Sequence, residues 1–322
     1  PLPILIGGLS RLEYRGYDSA GVAILDGKKL TIEKKEGKLQ VLKDHLEDKK
    51  IIGNIGIGHT RWATHGIPNN INAHPHSDNQ KEFAIIHNGI IENYAEMKDD
   101  LLKENYIFES DTDTEVVAVE LGNQWTGRLL ETVTNVAKKL DGTYALVVTS
   151  TKEPGTIVAG RMMSPLVLGV GEGETFLASD SAAILEHTNK MIFLENGDFV
   201  EITNGKFKLF DINMNEISRE IQEIDWKVSE AEKSGYDHFM YKEILEQAEV
   251  IERTISGRLE IGSEEIPIDL NKAKGFEKIW IVACGTAYHA GLFGKDLFEK
   301  VLGVPVSVEP VSYTHLRAHE TF

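Results

Sequence analysis

The chain has 322 residues, with 34 basic against 51 acidic side chains and a net charge of −17. Such a surface repels phosphate backbones and anionic lipid, which argues against nucleic acid and membrane surfaces as partners. Hydrophobic residues make up 41% and charged ones 26%, ordinary values for a folded protein, and the length allows two sizeable cores. No apolar run reaches membrane length, and the amino end lacks a basic region followed by an apolar signal core. The one cysteine, Cys284, excludes an internal disulfide and a cysteine zinc cluster. All of this suits a reducing cytoplasm.

Apolar spacing predicts a helix over 4–12, and Asp26-Gly27-Lys28-Lys29 reads as the turn of a hairpin joining 20–25 to 30–33. A short amphipathic helix is expected over 38–46, then a β-branched, Gly-broken strand over 51–57 and another at 83–87. Helices are expected over 93–104, 114–125 and 129–140. Short strands follow at 143–149, 156–159, 166–169, 175–178, 199–202, 206–210 and 217–221. Separate runs of strands and helices indicate α+β layers. Residues 222–238 are acidic, lack periodicity and suit a linker. A long helix over 239–255, a strand at 279–283, a Gly-containing turn, a helix from about 288 to 302 and a strand at 304–308 open a βαβ domain.

Three polar bursts sit at the ends of β-runs: Gly58-His59-Thr60-Arg61-Trp62-Ala63-Thr64-His65-Gly66, then Asn72-Ala73-His74-Pro75-His76, then His87-Asn88-Gly89. Each alone reads as a polar turn. Together they point to a small-molecule site, because loops at strand ends carry chemistry on a rigid scaffold. On chemistry alone Asp113 is equally an N-cap, Asn88-Gly89 equally a turn, Trp62 a core residue, and His74 and His87 structural hydrogen-bonders.

These bursts, with Tyr14-Arg15-Gly16-Tyr17-Asp18-Ser19-Ala20-Gly21, His87-Asn88-Gly89-Ile90-Ile91-Glu92-Asn93 and Ser110-Asp111-Thr112-Asp113-Thr114-Glu115, resemble the glutaminase domain of the glutamine–fructose-6-phosphate aminotransferase family. The resemblance continues through Ser164-Pro165-Leu166-Val167, Ala178-Ser179-Asp180, Met240-Tyr241-Lys242-Glu243-Ile244 and Ala283-Cys284-Gly285-Thr286, covering nearly all of 1–312. It implies an Ntn-hydrolase αββα sandwich (a class II glutamine amidotransferase) over 1–221, a linker over 222–238, and the start of an α/β sugar-isomerase (SIS) domain over 239–312. The activity implied is transfer of the amide nitrogen of L-glutamine to D-fructose 6-phosphate, by a cytoplasmic enzyme that is a homodimer when full length and needs no cofactor or metal.

By resemblance, Arg61 grips the glutamine α-carboxylate with Thr64 and His65 assisting, a role that suits a planar guanidinium fork. Asp113 takes the α-ammonium, and Asn88 with the Gly89 N–H forms the oxyanion hole. Trp62 closes over the site, His74 and His87 are candidates to line it, and Arg15 neighbours the nucleophile. Gly285 and Thr286 contact the sugar phosphate; read alone, Thr286 is a capping threonine. Ala287 stands where the family often has serine.

The family's nucleophile is a cysteine at the first position of the mature chain, with its own α-amine as base. This chain begins Pro1-Leu2-Pro3 and has no such cysteine, so the first strand and its thiol are expected to be missing and the chain as given inactive. Cys284 reads as a small buried side chain rather than a substitute. After Ser312 the resemblance stops. Residues 313–322 read as translated adapter sequence, expected to dock loosely if at all, and their His315 and His319 do not make a metal motif. Two other readings stay open: another Ntn amidotransferase, and a glutamine-binding protein that has lost its nucleophile.

Overall fold

The computed structural model describes residues 1–27, 29–62, 66–224, 239–255 and 277–310. They fall into two compact units, divided between residues 238 and 239.

In the first unit, α1 (Leu2–Leu12) precedes strand β1 (Ser19–Asp26), which pairs antiparallel with β2 (Lys29–Glu36). After α2 (Leu39–Leu46), β3 (Ile55–Arg61) pairs with the other edge of β1, giving a sheet of order β2-β1-β3. A seven-stranded sheet follows. It contains β4 (His76–Ser77), β5 (Phe83–Ile91), β6 (Gly142–Ser150), β7 (Thr156–Met162), β11 (Phe199–Thr203), β12 (Lys206–Phe210) and β13 (Glu216–Ile217), in the order β13-β12-β11-β7-β6-β5-β4. Helices α3 (Tyr94–Lys103), α4 (Asp113–Asn123) and α5 (Leu129–Ala137) connect β5 to β6. A four-stranded sheet, β14-β10-β8-β9, comprises β8 (Val167–Val170), β9 (Thr175–Ala178), β10 (Lys190–Phe193) and β14 (Gln222–Glu223).

Alternation of side chains explains the layering. On β6, Tyr144, Leu146 and Val148 pack with Val117 and Leu121 of α4 and Leu129, Leu130 and Val133 of α5. The intervening Ala145 and Val147 face the opposite way, onto Ala23 and Ile57 of the first sheet and Leu168 and Ile192 of the third. The outer sides of those two sheets pack on helix: Ala20 and Val22 on Leu9, Leu39 and Leu42, and Val167 and Met191 on Ile4 and Leu12. The result is helix, sheet, sheet, helix: an α+β sandwich of αββα type. Each fully buried aliphatic side chain contributes about 1.5–3 kcal/mol, so the cluster between the sheets and the one beneath α4 and α5 contribute the most through burial.

The structure departs from the sequence expectations at several places. Residues 51–54 precede the strand rather than form it, and β3 instead runs on through His59 and Arg61. Gly21 lies inside β1, where a side chain would overlap the His74 carbonyl oxygen and come 2.7 Å from Lys34 Cβ. The strands β4, β10 and β14 are only two to four residues long, too short for a periodic signal, and β14 falls within the segment expected to be linker. Residues 225–238 and 313–322, expected as linker and tail, otherwise lie outside the described residues.

The second unit holds α6 (Phe239–Ile255), β15 (Ile279–Ala283), α7 (Gly285–Leu302) and β16 (Val306–Pro310). β15 and β16 are parallel, with Ile279 opposite Val306, so β15-α7-β16 is a βαβ unit. Helix α7 starts at Gly285 rather than near 288, so Gly285 and Thr286 occupy its exposed first turn. Cys284 is exposed, against the expectation of a buried thiol. Among the described residues no helix is long and apolar enough to cross a membrane.

Candidate active site

Strand alternation places the site. On β3 the odd positions Ile57, His59 and Arg61 share one face, and Ile57 packs in the inner cluster, so His59 and Arg61 also point between the two sheet layers. On β5 the odd residues Phe83 and Ile85 pack against α4 and α5, and His87 reaches Thr114 at the start of α4. Asn88 therefore faces the other way, towards β3. Its Oδ1 lies 2.8 Å from His59 Nε2.

Asn88-Gly89 is not a turn. Both residues sit within β5, paired opposite Ala145 and Tyr144 of β6. Gly89 has φ +136°, and a Cβ there would overlap the Thr143 carbonyl oxygen. Only glycine fits this close approach of two backbones.

Asp113 is not the cap of α4 either. Thr112 is the N-cap, its hydroxyl accepting from Glu115 N at 3.3 Å, and Glu115 turns back to accept from Glu109 N and Ser110 N at 2.9 and 2.7 Å. Asp113 is thereby free of capping duty. It is buried in the first turn of α4, where Oδ2 accepts from Ile91 N at 2.9 Å and lies 3.9 Å from His87 Nδ1. The helix N-terminus favours its negative charge.

Arg61, 4% exposed, donates from Nη2 to the Gly66 carbonyl at 3.3 Å, with Nη1 4.0 Å from Asp18. Burial draws its pKa below the usual guanidinium value, opposed by Asp18 and Asp113, and it remains a cation at any physiological pH. Lys34 on β2 donates to the carbonyls of Ile71 and Ala73 at 2.9 and 2.8 Å, which holds the His74 loop against the first sheet. Burial lowers its pKa to about 8.

Beside Asn88 lies a layer of histidines. His59 stacks on His74 with ring centroids 4.4 Å apart, and His74 meets His76 edge-on at 4.8 Å. His74 Nε2 and His87 Nδ1 each lie 3.0 Å from the Thr114 hydroxyl. Burial lowers the pKa of His59 to about 4 and those of His74 and His76 well below the usual value, so all three are neutral near pH 7.

One cavity of about 690 Å³ in the first unit brings Arg61, Trp62, His74, Asn88, Gly89 and Asp113 together. Trp62 is 60% exposed at its rim and contacts Tyr17 edge-to-face at 5.3 Å, so it is no core residue. Thr64 and His65 lie outside the described residues, as does the Arg15 side chain. Gly285 and Thr286 belong to the second unit. Sequence reasoning overlooked His59 and Thr114; the signal for His59 was its place two residues before Arg61, legible once 55–61 is taken as a strand.

The cavity runs on beyond these residues as a slot. It follows the whole of β3, residues 54–62, on one side and residues 173–179, around β9, on the other. Among the described residues β3 pairs with β1 alone and β9 with β8 alone, so two bare strand edges line the slot. Ile86, Ala145, Val147, Ile157 and Ile202 of the large sheet form its floor, and Ile4, Leu5 and Leu9 of α1 lie on it too.

Comparisons with known proteins place the chain in a family. Over 314 residues the chain is 48% identical to a glutamine–fructose-6-phosphate aminotransferase (isomerizing) of Clostridium tetani, a match covering 96% of this chain and 52% of that protein. The protein of the same name in Aquifex aeolicus is 47% identical over 307 residues, or 95% of this chain and 51% of that one. The chain thus spans about half the length of the relatives it matches. Among solved structures, the glutamine phosphoribosylpyrophosphate amidotransferase of B. subtilis shares the fold, with a TM-score of 0.59 at 21% identity over 95% of this chain and 62% of that one. An allosteric regulatory enzyme of purine biosynthesis gives a TM-score of 0.59 at 27% identity, over 66% of this chain and 47% of that one. Residues 42–236 match the model of the glutamine amidotransferase domain, and the chain belongs to that family.

Proposed function

We propose that the whole protein transfers the amide nitrogen of L-glutamine to D-fructose 6-phosphate, giving D-glucosamine 6-phosphate and L-glutamate. The observation that carries the glutamine half is the convergence of Arg61, Asp113, Asn88 and Gly89 on one cavity. Arg61 offers a fork to the α-carboxylate and Asp113 a carboxylate to the α-ammonium. The Asn88 amide and the Gly89 N–H take the charge that develops on the side-chain oxygen. Trp62 covers the substrate, Thr64, His65 and His74 complete its surroundings, and Arg15 stands near the nucleophile. The acceptor half rests on the names of the relatives, whose length is about twice that matched.

We place the nucleophile on an extended segment seated between β3 and β9. A strand there pairs with both bare edges and joins the three- and four-stranded sheets into one. With sheet below and α1 above, it is buried on both faces, which calls for a continuous apolar run. About seven residues of strand, at 3.3 Å each, match the length of β3. An amino-terminal cysteine on that strand brings its thiol beside Asn88. Its α-amine, with a pKa near 8, takes the thiol proton, whose pKa is near 8.5. The thiolate adds to the amide carbon, ammonia leaves with that proton, and water then cleaves the thioester to glutamate.

The second unit reads as the opening of a sugar-isomerase domain, from residue 239 to 312, after a glutaminase domain over 1–221 and a linker. The first turn of α7, Gly285 and Thr286, suits the sugar phosphate. A cytoplasmic homodimer without metal or cofactor completes the reading.

The roles separate kinetically in a chain extended by a Cys-initiated apolar strand. Arg61→Ala raises the KM for glutamine about 100-fold with little change in kcat, as expected for a charged hydrogen bond worth about 1.5–3 kcal/mol in both ground and transition states. Asn88→Ala lowers kcat about 100- to 1000-fold. An unchanged KM in Arg61→Ala would show that the carboxylate is held elsewhere.

A further inference from the structure

The Asn88 amide contributes to an oxyanion hole in one orientation only. Its two donors belong to the nitrogen, and an amide turned over presents a second oxygen to the developing negative charge, which repels it. Backbone geometry leaves this choice open, since the terminal amide torsion is broad and roughly two-fold. Some neighbour must set it.

We propose that His59 is the positioning residue that sets it: its Nε2–H donates to Asn88 Oδ1, which turns the amide nitrogen away from His59 and towards the cavity. The distance is 2.8 Å, and the acceptor is a carbonyl oxygen, so the proton belongs to the ring nitrogen. Among the described residues His59 is the hydrogen-bond partner of the Asn88 side chain. The ring itself cannot turn freely. It is 9% exposed, anchored on β3 two residues from Arg61, and stacked on His74 at an interplanar angle of 29°. His74 in turn is fixed through Thr114 to the first turn of α4, the same turn that carries Asp113. A rigid path therefore ties the orientation of the oxyanion donor to the helix that carries the proposed ammonium acceptor. Burial keeps the ring neutral, so it holds a single N–H and its tautomer decides the matter.

This inference rests on the glutaminase reading above and is tested in two ways. In the present chain labelled with [15N]histidine, the His59 resonances, assigned by their loss in His59→Phe, should show a protonated Nε2 and a bare Nδ1. A proton on Nδ1 would mean that the amide donates to the ring, and the proposal would be overturned. In the Cys-extended chain, His59→Phe keeps a ring against His74 but removes the donor. Its kcat should fall about 100- to 1000-fold, the cost of losing one oxyanion donor, with KM within about threefold of the parent. His59→Gln, whose side-chain NH2 can donate to the same oxygen, should recover at least about tenfold of that loss. A His59→Phe enzyme with kcat within about threefold of an active parent sinks the proposal alone. A parent that releases no glutamate sinks the reading beneath it, and the tautomer measurement still decides how Asn88 is held.

Discussion

Replacing Gly89 with alanine is expected to cost the folded state about 3 kcal/mol or more. Two independent effects add. The backbone at φ +136° lies in a region that side-chain-bearing residues rarely adopt. The added methyl also overlaps the Thr143 carbonyl oxygen, lies 2.7 Å from its carbon and 3.0 Å from His87 Nε2. Thr143 belongs to β6, the central partner of β5, so neither strand can shift without breaking the ladder between them. In urea the unfolding midpoint of the first unit should fall by about 1 M or more at an unchanged slope. A midpoint within about 0.2 M of the parent would show that β5 tolerates a side chain here. Asn88→Ala, one residue away, meets no such backbone obstacle and loses the hydrogen bond to His59 instead, so its smaller loss separates the two effects.

Acid should begin to destabilise the first unit above the range in which carboxylates titrate. His59, His74 and His76 are buried and neutral, with pKa values pushed down first by desolvation and then by neighbouring charge: His87 and Arg61 for His59, the other histidines and then Arg61 for His74, and Lys34 and Arg61 for His76. In the unfolded chain they titrate near 6.5. The sign follows directly. Between the unfolded value and the depressed folded values, the unfolded state binds protons and the folded state does not, so stability is complete above about pH 6.5 and is lost as pH falls. Each such histidine adds a slope of about 1.4 kcal/mol per pH unit, and three add about 4. Because domains have roughly 5–15 kcal/mol in all, about one to four pH units of acidification should suffice. Urea titrations at pH 7, 6 and 5 read this slope. A loss of less than about 1 kcal/mol per unit between pH 6 and 5 would contradict neutral, buried histidines.

What the sequence made legible follows from where its signals are local. Arg61, Asn88, Gly89 and Asp113 were all legible as a constellation, and the structure brings them to one cavity. Their local conformations were less so. Asn88-Gly89 has the composition of a turn, yet it is strand, because pairing with Ala145 and Tyr144, distant in sequence, outweighs a dipeptide preference. Thr112 rather than Asp113 caps α4, a one-residue difference that propensity cannot resolve but that leaves the carboxylate in the site. Strand β10 was missed since two of its four residues, Lys190 and Phe193, are exposed, leaving no alternation to detect. The slot was wholly illegible. It is made of two strand edges from segments more than a hundred residues apart, and no sequence window contains both.

The most direct test of this account is glutamate release by the chain carrying a Cys-initiated apolar strand ahead of Pro1. Steady release of glutamate and ammonia in equal amounts is expected, abolished when that cysteine is replaced by alanine and absent from the chain without the strand. Glutamate no higher than in the alanine variant, in a protein whose added strand is protected from amide exchange between β3 and β9, would mean that the slot is filled as proposed but the site does not cleave glutamine.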